Sequence, residues 1–374
     1  MHTNLETTKT FSFLERAIKN LWIRTTLLIL ISASAAIFII VKAFQDPTFF
    51  FQQLLNGIQL GFVYALIALG YTMIYGIVKL INFAHGDVFM VGAFTSFYLI
   101  DRFNLHRWPE MFFPGISPFL SGSIGTLTII LITMAVCALL AFTIERFAYK
   151  PLRNAPRISA LITAIGVSFF LEYFGALDFV YTSNFITYPR PFEIPSWYIK
   201  DGIHQLKPGA AAPEGAIIFS GILIVIVVLS LLLLAILQFV VQRTKIGKAM
   251  RAAAYDKPTA RLMGIKVDSI ISITFGIGAS LAGVGGILFA TAYRQIYVFM
   301  GIMPGLKAFV SAVLGGIGSI PGALVGALIL GQAEVMTAGY VSTPMRDAVA
   351  FGILILVLLV RPTGIFGEPE REKA

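Results

Sequence analysis

Six windows of the chain, at about residues 26–44, 52–78, 121–145, 216–241, 269–293 and 345–361, are mostly apolar. Each covers the about 20 residues an α-helix needs to cross a ~30 Å hydrocarbon layer. Four less regular windows, at about 84–100, 158–177, 304–318 and 321–338, are short or bounded by Gly and Pro. The pattern predicts an all-α, polytopic membrane helix bundle of about ten spans.

Polar positions orient that bundle. Arg146, Lys150, Arg153 and Arg157 form one basic connection, and Arg243, Lys245, Lys248, Arg251, Lys257, Arg261 and Lys266 another. Basic residues concentrate on the cytoplasmic side, so both connections belong inside, with two spans between them. Residues of about 178–215 mix signs and are rich in Tyr, Phe, Pro and Trp, as expected of an external loop against the outer interface. Alternate threading of ten spans then leaves both termini cytoplasmic. The basic leader carrying Lys9, Arg16, Lys19 and Arg24, with the apolar run that continues past Ala33 to Val41, reads as an uncleaved signal anchor.

Composition agrees with the pattern. Apolar residues make up 57% of the 374 and charged residues 13%, against about 25% charged in soluble domains. A soluble enzyme is excluded, and the net charge of +9 marks loop orientation, not nucleic acid. The single cysteine, Cys137, lies in an apolar run, allows no intrachain disulfide or cysteine metal cluster, and reads as buried filler.

With this threading the span near Phe51 starts outside and the one near Ser269 inside, each followed by a short, glycine-interrupted segment, so the halves have inverted topology. The short segments open with Asn82-Phe83-Ala84-His85-Gly86-Asp87 and with Met303-Pro304-Gly305-Leu306-Lys307. A helix end within the membrane leaves backbone groups that must face a polar cavity or solute, so broken segments at matching positions point to a midplane path. Asn82, His85, Gly86, Asp87, Thr95, Pro304 and Gly305 are its candidate residues. His85 and Asp87 have two readings: they shape the path, or Asp87 caps its helix while His85 packs at the interface. Gly315, Gly316, Gly318, Pro321 and Gly322 predict two short helices packed backbone to backbone across a turn. That run lacks Gly-x-x-x-x-Gly-Lys-Ser/Thr spacing, so no nucleotide loop is present and ATP binds elsewhere.

The polar segment 242–268 predicts two short helices across the membrane surface. Ala249 to Ala254 favour helix, Asp256-Lys257-Pro258 interrupts it, and Thr259 to Met263 forms a second turn ended by Gly264. On composition it is equally a docking element or a basic patch for anionic lipid.

Stretches 56–61, 64–73, 81–87 and 312–323, together with Glu145-Arg146-Phe147-Ala148-Tyr149-Lys150-Pro151-Leu152-Arg153 and Leu161 to Gly166, resemble permease subunits of high-affinity branched-chain amino acid ABC importers. The likeness runs from about Phe51 to Gly367, and the first fifty residues depart from it. It implies a bacterial inner-membrane permease domain over 49–367, preceded by a leader with an extra span over 1–48 and followed by a tail over 368–374. It further implies a second related permease, two cytoplasmic ATPases that bind the ATP, and a periplasmic amino-acid-binding protein, with no chemistry and no cofactor in this chain. Residues 248–265 become the element docking into the ATPase, with Lys248, Arg251, Ala253, Asp256, Arg261 and Gly264 as its candidates. Asp256 and Gly264 match the acidic and glycine positions of that motif, and Tyr255 stands where it carries glutamate.

Two further classes remain. An ion-gradient transporter would draw on Glu172, Asp178 or Glu334; of these, Asp178 and Glu334 are expected near membrane surfaces and Glu172 at a partner helix or cavity edge. An intramembrane enzyme would need a catalytic cluster, whereas His2, His85, His106 and His204 are scattered. Related permeases for urea or other neutral amino acids keep the solute open.

Overall fold

A computed structural model describes residues 26, 34, 37–79, 82–153, 155–190, 194–207 and 210–367. The basic leader, residues 27–33 and 35–36 of the 26–44 window, and the tail 368–374 lie outside the described residues. Residues 37–45 are helical.

Among the described residues, apart from the short helix Trp108–Phe112, eleven helices carry the architecture: α1 Pro47–Val78, α2 His85–Asp101, α3 Pro118–Ile144, α4 Arg157–Gly175, α5 Gly221–Arg243, α6 Lys245–Tyr255, α7 Lys257–Leu262, α8 Val267–Tyr293, α9 Ile302–Gly315, α10 Ile320–Tyr340 and α11 Met345–Val360. Among the described residues, seven helical stretches are long and apolar enough to cross a membrane, six of them built on α1, α3, α4, α5, α8 and α10 and the seventh running from Val298 through α9. The windows at 84–100 and 345–361 become α2, of 17 residues, and α11, of 16.

Caps written in the sequence set several starts. The Asp46 carboxylate accepts from the Phe49 N–H at 2.9 Å with Pro47 at the first helical position, which satisfies an orphan donor and fixes φ. Ser117, Ser220 and Ser319 accept in the same way at α3, α5 and α10. At 32 residues, α1 is about 48 Å long and exceeds the hydrocarbon thickness, so it tilts or projects.

α1 and α8 form the centre, packed with α2, α9 and α10. The outer helices α3, α4 and α5 expose apolar side chains such as Leu131, Phe169 and Leu232, as helices that cross a membrane do. α3 does not stop at Ile144: a π-turn over Glu145–Tyr149 and a 3-10 turn over Lys150–Leu152 extend it. Cys137 is fully buried, as its apolar surroundings imply.

Short strands in and beside the 178–215 segment join the otherwise helical fold. Strands β1 Ile186–Thr187, β2 Ser196–Ile199, β3 Ile203–Leu206, β4 Ile217–Ser220 and β5 Gln295–Ile296 form two small antiparallel sheets, β3-β2-β4 and β1-β5. Trp197 sits between Gln205 and Phe219. The window from 216 therefore starts as strand, and its helix begins at Gly221. Tyr188, fully buried, clamps this region to the bundle: its hydroxyl donates to Ser96 at 2.9 Å and its N–H to the Arg294 carbonyl at 3.0 Å.

Candidate functional site

Two features stand out. The first is a cavity of about 170 Å³ where α2, α4 and the start of α9 meet, lined by Tyr71, Phe83, Asp87, Ser168, Glu172 and Gly301 among others. α2 and α9 approach closely there because both are glycine at the crossing: a Cβ on Gly86 would lie 2.5 Å from the Gly301 carbonyl oxygen and 3.0 Å from the Gly305 Cα. Asp87, 1% exposed and in the first turn of α2, sits at the positive end of that helix. It accepts from the Ser168 hydroxyl of α4 at 2.5 Å, and Glu172 of α4 lines the same cavity. No described side chain caps α2, and Ala84 occupies its cap position; Asp87 instead binds across to α4.

The other residues assigned to a path divide. Asn82 is buried and accepts from the Tyr149 hydroxyl at 2.5 Å, tying the start of α2 to the π-turn. His85 is buried edge-on to the Tyr71 ring, 4.8 Å between centroids, and against Gly70; it is absent from the cavity lining. Pro304 and Gly305 are buried in the first turn of α9, and Thr95 is half-buried on α2. Ile302 and Leu306, on one face of α9, line the cavity with Ile165 and Phe169, residues not singled out in the sequence.

Lys307, on another face of α9, pairs with Glu334 of α10 at 2.5 Å and with Asp347 of α11 at 2.7 Å. Glu334 also accepts from the Tyr64 hydroxyl at 3.0 Å. At 2% exposure it is enclosed by protein. Gly315 and Gly322 meet backbone to backbone between α9 and α10, Gly316 and Gly318 take positive φ in the turn, and Pro321 opens α10. Ile365 and Phe366 donate their N–H groups to the carbonyls of Leu314 and Gly315, satisfying the end of α9.

The second feature is the arm α6–α7. Thr244 accepts from the Gly247 N–H at 3.1 Å and starts α6. Asp256 ends it and caps α7 by accepting from the Thr259 N–H at 3.2 Å, with Pro258 in the first turn. Gly264, with φ +83°, stops α7 in the left-handed region that glycine enters without penalty. Lys248, Arg251, Arg261 and Gly264 are exposed, Asp256 is half-buried, and Ala253 is buried against the core. Tyr255, Leu262 and Met263 project outward, Leu262 at 88% exposure.

The arm is tied to the bundle. Arg251 donates to the Val241 carbonyl, and Lys257 to the Val78 carbonyl at 3.2 Å. Burial, then the nearby Arg153, Lys79 and Arg261, lowers the pKa of Lys257. Arg261 donates to Asp268 at 3.3 Å, Arg153 donates to Asp268 at 2.5 Å and to Glu145, and Ser272 donates to Glu145 at 2.6 Å. The two basic connections are thus joined through one guanidinium whose fork spans two carboxylates.

The family model for the permease component of branched-chain amino acid transport systems matches residues 53–358. The chain belongs to this permease family. It is 43% identical over 326 residues to the high-affinity branched-chain amino acid transport system permease protein LivH of Salmonella typhimurium, covering 87% of this chain and 98% of the relative. LivH of Escherichia coli K12 is 43% identical, with the same coverages. BraD of Pseudomonas aeruginosa, of the same description, is 40% identical over 87% and 98%. No solved structure matches the chain. Membership carries a transport role, and the family match begins after the first fifty residues.

Proposed function

We propose that the chain is the permease subunit of an ATP-driven importer that carries branched-chain amino acids from the periplasm to the cytoplasm across the bacterial inner membrane. A second related permease supplies the other half of the path. Two cytoplasmic ATPases bind the ATP, and a periplasmic amino-acid-binding protein delivers the solute. In this reading α1, α2, α8 and α9 belong to halves of inverted topology within ten spans, and both termini are cytoplasmic.

The observation that carries the reading is the arm: two capped helices that expose Tyr255, Leu262 and Met263 while Arg261, Asp268, Arg153 and Glu145 connect them to α3 and α8. Pushing on such an arm displaces rigid helices rather than a loose loop, as alternating access requires. The cavity at Asp87, Ser168 and Glu172 offers apolar walls for an aliphatic side chain, with a few polar groups.

The same carboxylates favour one other reading, a carrier driven by an ion gradient, since Asp87 and Glu172 meet as ion ligands would. Proteoliposomes separate the two. The chain co-purified with its ATPases and second permease is expected to take up leucine only with ATP and the binding protein. Uptake by the purified chain alone under a proton or sodium gradient contradicts the importer. In the complex, Arg153→Met is expected to retain the ATPases while lowering uptake per ATP hydrolysed several-fold; an unchanged ratio removes Arg153 from the coupling route.

A further inference from the structure

A cavity of about 340 Å³ lies between the arm and the bundle, where the end of α1, the end of α5 and the start of α10 face α6. It falls within the about 300–1,000 Å³ of small-molecule sites. Met73, Ile77, Met250 and Ile320 make its walls apolar, and Lys79 and Arg251 at its edge are exposed. Thr72 also lines it, and the buried hydroxyl of Thr72 makes no hydrogen bond among the described residues.

An apolar interior with two cations beside it fits an amphiphile bearing negative charge. A free phosphate would leave the walls unused, and a neutral hydrocarbon would leave the cations unused. α5 ends at Arg243 and α6 begins at Lys245, which sets the cavity at the membrane surface, where headgroups lie. Basic pockets between transmembrane helices on the cytoplasmic side bind anionic headgroups. Arg251 gives the Val241 carbonyl one N–H and keeps further donors of its five.

We propose that this cavity holds one anionic phospholipid, its phosphate at Lys79 and Arg251 and part of an acyl chain among Met73, Ile77 and Ile320. The proposal rests on the reading that the arm lies on the cytoplasmic face. A lipid seated there would fill the space behind α6, so the arm's position relative to α1 would depend on the membrane's anionic lipid.

Native mass spectrometry of the full-length protein, equilibrated with equal phosphatidylglycerol and phosphatidylcholine, tests it. The unaltered protein is expected to retain phosphatidylglycerol in preference, and Lys79→Gln with Arg251→Gln to lose that preference about thirty-fold. Gly76→Leu keeps both charges and fills the cavity: a Cβ there meets only the Gly318 Cα, at 3.7 Å, so the backbone has room. Its phosphatidylglycerol retention is expected to fall as well. Equal retention of both lipids, displacement by inorganic phosphate, or unaltered retention in the folded double variant overturns the proposal. Retention is read without transport, so this outcome and that of the uptake assay are independent.

Discussion

Lys307→Met is expected to destabilise the protein by about 3–5 kcal/mol, the cost of leaving a buried charge without its partner. Lys307 and Glu334 are each 2% exposed and 2.5 Å apart, and the nearby Arg346 is 47% exposed and 3.5 Å from Glu334. With Lys307 gone, Glu334 keeps the Tyr64 hydroxyl and the exposed, water-screened Arg346, too little to offset the loss of hydration. Adding Glu334→Gln removes the orphaned charge and is expected to restore most of the loss. Thermal unfolding of the purified variants in one detergent checks this. A single variant melting with the unaltered protein, or a double variant no better than the single, would refute the assignment.

Gly86→Val is expected to abolish uptake and to destabilise the packing of α2 on α9. The added Cβ meets the Gly301 carbonyl oxygen at 2.5 Å and the Gly305 Cα at 3.0 Å. Both are backbone atoms, so the two helices must separate instead of a side chain rotating. Overpacking of this kind costs about 1–3 kcal/mol, and more where backbone must move. Because the crossing also borders the cavity at Asp87, Gly86→Ala is expected to impair uptake more than it lowers the melting temperature. Normal uptake by Gly86→Val would show that α2 and α9 do not need this close approach.

What was legible in the sequence followed local rules. The arm's division into two helices came from Asp256, Pro258 and Gly264, and these residues cap, open and end α7. Long apolar runs located α1, α3 and α8 because membrane spans bury their own backbone polar groups. What escaped depends on pairings across distance. Ser168 binds Asp87 from 81 residues away, and Lys307 finds Glu334 on the next helix, so neither carboxylate's surroundings follow from its neighbours in the chain. The small sheet escapes the sequence because Ser196–Ile199 and Ile217–Ser220 are four-residue strands, too short for alternation to stand out from an aromatic-rich loop. His85 had two readings from the sequence, shaping a path or packing, and its contacts with the Tyr71 ring and Gly70 come from a neighbouring helix that the local pattern does not reveal.

The central claim is that a polar arm facing the cell interior works this permease. Leu262 is 88% exposed on that arm, and the chain's single cysteine, Cys137, is fully buried and gives no labelling background. Leu262→Cys should react with a membrane-impermeant maleimide only after cells are permeabilised, and should be protected when the ATPase is co-expressed. Labelling of Leu262→Cys in intact cells would place the arm outside, beyond reach of any cytoplasmic ATPase, and would contradict the account.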